Sequence, residues 1–243
     1  DAQSGQGVRQ LGVGLDQPQQ EHRGRVNRAA FSPDGQMVVT ASDDGTAKLW
    51  STADWRLLRT LTGHGGAVLH AVFSHDSRRV LTASRDKTAR IWDAATGQAL
   101  AVLAGHDWAV LHAAFSANGQ WVVTGSADNS AIVWKLEQNQ PKNVRHLRAH
   151  TAGVTSVAFS PEPEPTRILT GSEDYSAILW DAKTGQEVLT LQGHSQEVTS
   201  VAFAPDGRSA LTGSRDGTAI IWLTTDWKRP DDQLAVGRAA ASE

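Results

Sequence analysis

Short apolar runs recur along the chain, each closed off by polar or turn-forming residues. Val110–Phe115, Trp121–Gly125 and Ala131–Trp134 are typical: they are rich in β-branched and aromatic side chains and bounded by Gly, Asn, Asp and Ser. Runs of this length and composition predict strands. SPDG at 32–35, SANG at 116–119 and APDG at 204–207 predict tight turns between them, because these residue types readily take turn dihedrals. The stretch DAATGQALAVL (93–103) follows a third run and predicts a turn and a fourth strand. Nothing in these segments keeps a helical period. The pattern predicts an all-β chain built from four-stranded antiparallel units.

The units repeat. An opening His stands at His22, His64, His106, His150 and His194, and a closing Trp at Trp50, Trp92, Trp134, Trp180 and Trp222. The period is 42, 42, 44 and 44 residues, and the His-to-Trp distance is 28 in four copies and 30 in the fourth. The two extra residues of the fourth copy fall in the Pro-rich stretch 160–167, where loops tolerate insertion. This stretch is expected to be a stiff loop without a motif.

Gly-His at 63–64, 105–106 and 193–194 and Trp-Asp at 92–93 and 180–181, on this period, resemble the WD-repeat family. The resemblance covers residues 22–222. Its departures are mild: Glu-His at 21–22, Ala-His at 149–150, and Trp-Ser, Trp-Lys and Trp-Leu after three of the closing Trp residues. It implies a β-propeller of four-stranded blades, five from this chain, within a larger propeller.

DAQSGQGVRQL at the start aligns with DAKTGQEVLTL at 181–191, so Asp1 takes the place of the Asp in a Trp-Asp pair. The expected organisation is a partial upstream repeat (fourth strand plus insert) over 1–21 and five repeats over 22–223. These run 22–63, 64–105, 106–149, 150–193 and 194–223, and a turn, strand and flexible tail occupy 224–243. Gly7–Leu11 and Gln233–Gly237 compete as the strand that completes a blade. The expectation is a segment of a longer repeat protein.

The 243 residues include nine Trp and nine His but no Cys, so disulfides, thiolate metal sites and Cys nucleophiles are excluded. A net charge of −3 offers no general attraction for nucleic acid or an anionic membrane. No apolar run approaches the ~18 residues of a membrane span.

Positions identical in all copies serve the blade; positions that differ can serve a partner. The identical set is His22, Ser42, Asp44 and Trp50; His64, Ser84, Asp86 and Trp92; His106, Ser126, Asp128 and Trp134; His150, Ser172, Asp174 and Trp180; and His194, Ser214, Asp216 and Trp222. A Ser, a His and an Asp invite a hydrolase reading. Yet five equivalent active sites would be needed, whereas indole, hydroxyl, imidazole and carboxylate can satisfy one another inside a blade. The resemblance implies the same structural tetrad. Thr40, Thr82, Thr124, Thr170 and Thr212, each followed by Ala or Gly, are expected to be packing positions in a crowded interior.

In the resembling family, the loop after the His and the turn around the tetrad Asp share the usual docking face. At these variable positions stand Trp108, Tyr175, Arg85, Lys87, Glu173, Arg215, Arg28 and Asp43, the candidate partner-binding residues. Trp108 and Tyr175 are large aromatics beside Asp107 and Glu173, a composition common in interface anchors. Arg23, Arg25, Arg28 and Arg85 form a basic patch suited to an acidic or phosphorylated peptide, or a solvated face with Asp43 and Asp44 as partners. His70 and His112 occupy one position in consecutive copies and could share a metal, but no carboxylate stands at their level, so no metal is assigned. Trp55, Trp121 and Trp227 are expected to be packing caps.

The leading expectation is a non-enzymatic scaffold that binds a protein or peptide through this face. No cofactor, nucleic acid or membrane is assigned, and the location is cytoplasmic. Other domains of the parent chain are further partners. The regular repeats look bacterial, which makes a sensor module of a larger signalling NTPase or kinase one alternative. The other is an enzyme or metal site at the channel mouth.

Overall fold

The computed structural model describes residues 21–137 and 140–223, and all their regular structure is β. The first sheet holds β1 (Val26–Phe31), β2 (Met37–Ser42), β3 (Ala47–Ser51) and β4 (Leu57–Leu61), paired in chain order. The second holds β5 (Val68–Phe73), β6 (Arg79–Ser84), β7 (Thr88–Asp93) and β8 (Ala99–Ala104). The third holds β9 (Val110–Phe115), β10 (Trp121–Ser126), β11 (Ala131–Glu137) and β12 (Gln140–Leu147). The fourth holds β13 (Val154–Phe159), β14 (Arg167–Ser172), β15 (Ser176–Asp181) and β16 (Glu187–Gln192). The fifth is β17 (Val198–Phe203), β18 (Ser209–Ser214) and β19 (Ala219–Leu223). Every pairing is antiparallel, as short hairpin connections require. The proposed strands Gly7–Leu11 and Gln233–Gly237 and the cap Trp227 lie outside the described residues.

Successive sheets pack face to face, with the first strand of each against the first strand of the next. Apolar side chains alternate along the strands, so each sheet offers one apolar set to the sheet before it and another to the sheet after it. Val39, Leu49 and Leu61 of the first sheet meet Val68, Phe73 and Val80 of the second. The same positions recur in the next two interfaces, where Leu81 and Ile91 meet Val110, and Val123 and Val133 meet Val154.

The end sheets differ in exposure. Phe31 is 65% exposed where its equivalent Phe73 is 5% exposed. Leu211 and Ile221 of the fifth sheet are 44% and 68% exposed, whereas Leu169 and Leu179 of the fourth are fully buried. The first and fifth sheets therefore each present half of an interface that the described residues build four times between successive sheets.

The small residue after each constant Thr has a steric cause. A Cβ on Gly125 would lie 2.8 Å from Val154 Cγ1 and 2.9 Å from Val157 Cγ1 on the next inner strand. Gly125→Ala is expected to cost about 1–2 kcal/mol by overpacking, although Ala41 and Ala83 fill the equivalent place in the first two sheets. A lowered urea midpoint at unchanged slope would show it; an unchanged midpoint would mean that the fourth sheet shifts freely.

Candidate protein-interaction face

The edge that carries the variable loops is held by one hydrogen-bonded chain per sheet. In the second sheet Trp92 Nε1 donates to Thr82 Oγ1 at 2.8 Å, Thr82 Oγ1 lies 2.7 Å from His64 Nε2, and His64 Nδ1 lies 2.8 Å from Asp86 Oδ2. The other sheets repeat it through Thr40, Thr124, Thr170 and Thr212. These distances correct the expected tetrads. The hydroxyl between Trp and His belongs to Thr, not to Ser42, Ser84, Ser126, Ser172 or Ser214, and the constant Thr is a polar junction as well as a packing residue.

The reason is register. Trp92 pairs with Val80, so its indole reaches diagonally to Thr82, two residues on; Ser84 lies beyond. The Ser hydroxyl has another task. Ser84 Oγ donates to Gly66 O at 3.1 Å and accepts from Asp86 N at 3.1 Å, and Ser126 Oγ donates to Trp108 O at 3.3 Å. It staples the loop after the opening His to the turn that carries the Asp.

The protons follow from donor and acceptor types. Indole only donates and carboxylate only accepts. Burial lowers the pKa of His22, His64, His106 and His150 despite the neighbouring Asp, so these imidazoles are neutral near pH 7. Nδ1–H then donates to Asp, and Nε2 accepts from the Thr hydroxyl. Burial alone would raise the Asp pKa, but hydrogen bonds from Thr88, His64 and the Gly65 amide outweigh it and hold Asp86 at about 2.

The residue after each tetrad Asp has left-handed backbone. Gly45 and Gly217 sit at φ 81° and 83°, but Lys87, Asn129 and Tyr175 sit at φ 72°, 68° and 73°. A side chain there costs about 1 kcal/mol relative to glycine. Trp108 is 65% exposed and Tyr175 48% exposed, on the same edge of adjacent sheets. Arg85, Lys87, Glu173, Arg215 and Asp43 are exposed on that edge too. Arg215 reaches Glu197 at 3.5 Å.

The basic patch differs from expectation in two ways. Asp44 is committed to His22 and the Arg23 amide, and Asp43 accepts from Asn27 at 2.7 Å. Neither acid pairs with Arg23, Arg25 or Arg85 among the described residues. Arg28 belongs to β1, at the position that His70, His112, Ser156 and Ser200 hold on the other inner strands, and so stands on the inner rim, not in the edge loops.

His70 and His112 meet, with ring centroids 3.9 Å apart. Neither ring nitrogen of His70 has a hydrogen-bond partner, while His112 Nδ1 accepts from Val157 N at 3.4 Å. Among the described residues no three of His, Cys, Asp or Glu group together as metal ligands, and no helix is long and apolar enough to cross a membrane. Trp121 lines a cavity, with Lys135 Nζ 5.7 Å from its ring centre; Trp55 is half-buried.

The repeats agree with known sequences. The model of the WD domain, G-beta repeat, matches residues 16–51, 55–93, 97–135, 141–181 and 185–222. Nuclear distribution protein PAC1 of Arthroderma benhamiae is 30% identical over 209 residues, 84% of this chain and 36% of that protein. Small ribosomal subunit protein RACK1y of Oryza sativa subsp. japonica is 38% identical over 79 residues, 32% of this chain and 24% of that protein. WD repeat-containing protein 86 of Homo sapiens is 54% identical over 44 residues, 18% of this chain and 12% of that protein. The chain thus spans little more than a third, at most, of these relatives' lengths. Five matched repeats, five antiparallel sheets on the same period and a His–Asp–Thr–Trp chain in each place this protein in the WD40 family.

Proposed function

We propose that this chain is a protein- or peptide-binding scaffold and that the edge with Trp108 and Tyr175 is its docking face. The carrying observation is Tyr175, which holds an unfavourable backbone and exposes its ring where two other copies have glycine. A residue that holds a costly backbone and still leaves about half its surface open to solvent is best explained by what it touches in a complex. Trp108 supplies a second anchor, and Arg85, Lys87, Glu173 and Arg215 a charged rim. The five repeat units keep the boundaries given above. The exposed faces of the first and fifth sheets suit further blades of a longer parent chain. A sensor module in a bacterial cytoplasmic signalling protein is the narrower form of the same reading. Its test is the parent gene.

Tyr175→Gly separates binding from folding. It is expected to raise stability by about 0.5–1 kcal/mol, because glycine relieves the strain. Trp108→Ala should leave the melting temperature within a degree or so, since an exposed side chain supports little. Both variants should lose the same partners in quantitative pull-downs against wild type. Partner sets unchanged by either substitution would remove this face from the proposal.

A further inference from the structure

The opposite edge, away from the tetrad turns, holds a cavity of about 270 Å³ between the third and fourth sheets. Trp121 and Phe159 form its apolar wall with Pro165, which belongs to the stretch lengthened by two residues in the fourth copy. The stiff loop therefore does more than connect: it closes one side of the space.

The inner cationic pole of the cavity is Arg145; Lys183, also on its lining, is exposed. The Arg145 Nη1 is buried with no hydrogen-bond partner. The equivalent residue of the first sheet shows what this position does without a cavity. Arg59 is exposed, and its Nη1 donates to Leu58 O at 2.6 Å. Both stems lie under a turn glycine of the next sheet, Gly97 over Arg59 and Gly185 over Arg145. Of the two, only Arg145 lines a cavity.

The two acids on the lining, Glu164 and Asp181, each have an oxygen engaged by other groups. Asp181 Oδ1 accepts from the Lys183 and Thr184 amides and the Thr184 hydroxyl. Glu164 Oε1 accepts from Asn118 Nδ2 at 3.1 Å. Glu162, whose Oε2 is buried without a hydrogen-bond partner, lies against Gly207 of the fifth sheet and is not on the cavity lining. A buried guanidinium donor without an acceptor costs free energy until an acceptor arrives, and carboxylate matches its fork best.

The volume equals about nine waters at roughly 30 Å³ each, room for about one residue. The apolar wall and the cationic pole share this space, so one residue must bring both an apolar side chain and a carboxylate. We propose that the cavity takes the C-terminal residue of a peptide, with its apolar side chain on Trp121, Phe159 and Pro165 and its terminal carboxylate on Arg145. This site is independent of the docking face on the other edge.

The probes are N-acetyl-Gly-Gly-Leu as the free acid, the same peptide as its C-terminal amide, and N-acetyl-Gly-Leu-Glu-Gly-amide. Each is titrated by calorimetry and by the indole N–H signal of Trp121. The free acid should bind at least tenfold tighter than either amide and move the Trp121 signal. Arg145→Met, which keeps the stem under Gly185, should shrink the acid–amide difference to within twofold; Arg59→Met should leave it intact. Equal binding of acid and amide, no binding by any peptide, tighter binding of the Glu peptide, or an undiminished difference in Arg145→Met would overturn the proposal. If Arg145→Met does not fold, the wild-type acid–amide comparison with the Trp121 signal decides.

Discussion

Thr82→Val is expected to destabilise the protein by about 2–4 kcal/mol, although valine is nearly the same size and shape. Thr82 is fully buried, and its Oγ1 is the only atom between Trp92 Nε1 and His64 Nε2. Removing it leaves a buried indole N–H and a buried imidazole nitrogen unpaired, each at about 1–3 kcal/mol. Packing alone predicts the reverse order, since valine fills the space and serine does not. Thr82→Ser keeps the oxygen and should cost about 1 kcal/mol, the loss of one methyl. Ser84→Ala, the residue the sequence made the natural candidate, should cost about 1 kcal/mol, because it frees only a turn amide and the Gly66 carbonyl. Denaturant midpoints for the three variants rank them. Thr82→Val less harmful than Thr82→Ser would mean that the chain from Trp to Asp contributes nothing.

That case shows where sequence reasoning succeeds and where it stops. The strands, their number per unit and the period follow from composition and spacing, because period-2 alternation and turn residues are local signals. Thr82 and Ser84 are two apart on one strand, face the same side and recur in every copy, so nothing local distinguishes them. Only the pairing of Trp92 with Val80 places the indole on the threonine. Likewise Arg28 resembled a loop residue until its pairing with Ala41 put it level with His70. The cavity beside Arg145 was hidden for a related reason. Its walls come from β10 to β13, the β13–β14 loop and the end of β15, and their convergence depends on how two sheets pack. The two-residue lengthening in the fourth copy was the one visible trace. Tyr175 and Trp108 stood out as substitutions within a repeated frame; the left-handed backbone under Tyr175 did not.

The same comparison between copies yields the second large effect, a loss of stability between pH 6.5 and pH 4 that depends on the inner rim. His112 is partly exposed on the rim but closely surrounded by protein, and burial followed by the charge of Arg28 lowers its pKa to about 4. Burial, His112 and Arg28 hold His70 well below its usual value. These are the titratable and charged groups at that level; Ser156 and Ser200 complete it and do not titrate. A folded pKa below the unfolded one means that the unfolded chain binds the proton first. The contribution is therefore fully present above pH 6.5 and is lost as pH falls to about 4, by up to about 3 kcal/mol for His112. The tetrad imidazoles of His22, His64, His106 and His150, whose pKa values burial also lowers, add to the decline below pH 6.5 in wild type and variant alike; the tetrad carboxylates Asp44 and Asp86, at about 2, lose their contribution as pH falls below about 4. The fourth sheet supplies the control. Ser156 Oγ accepts Val201 N at 3.1 Å, as His112 Nδ1 accepts Val157 N. His112→Ser should keep that hydrogen bond, lose some stability at pH 7.5 through the smaller side chain, and flatten the decline between pH 6.5 and pH 4. The wild-type and variant curves should converge as pH falls. Parallel curves from urea titrations across this range would show that the stacked imidazoles do not set the acid limit of the fold.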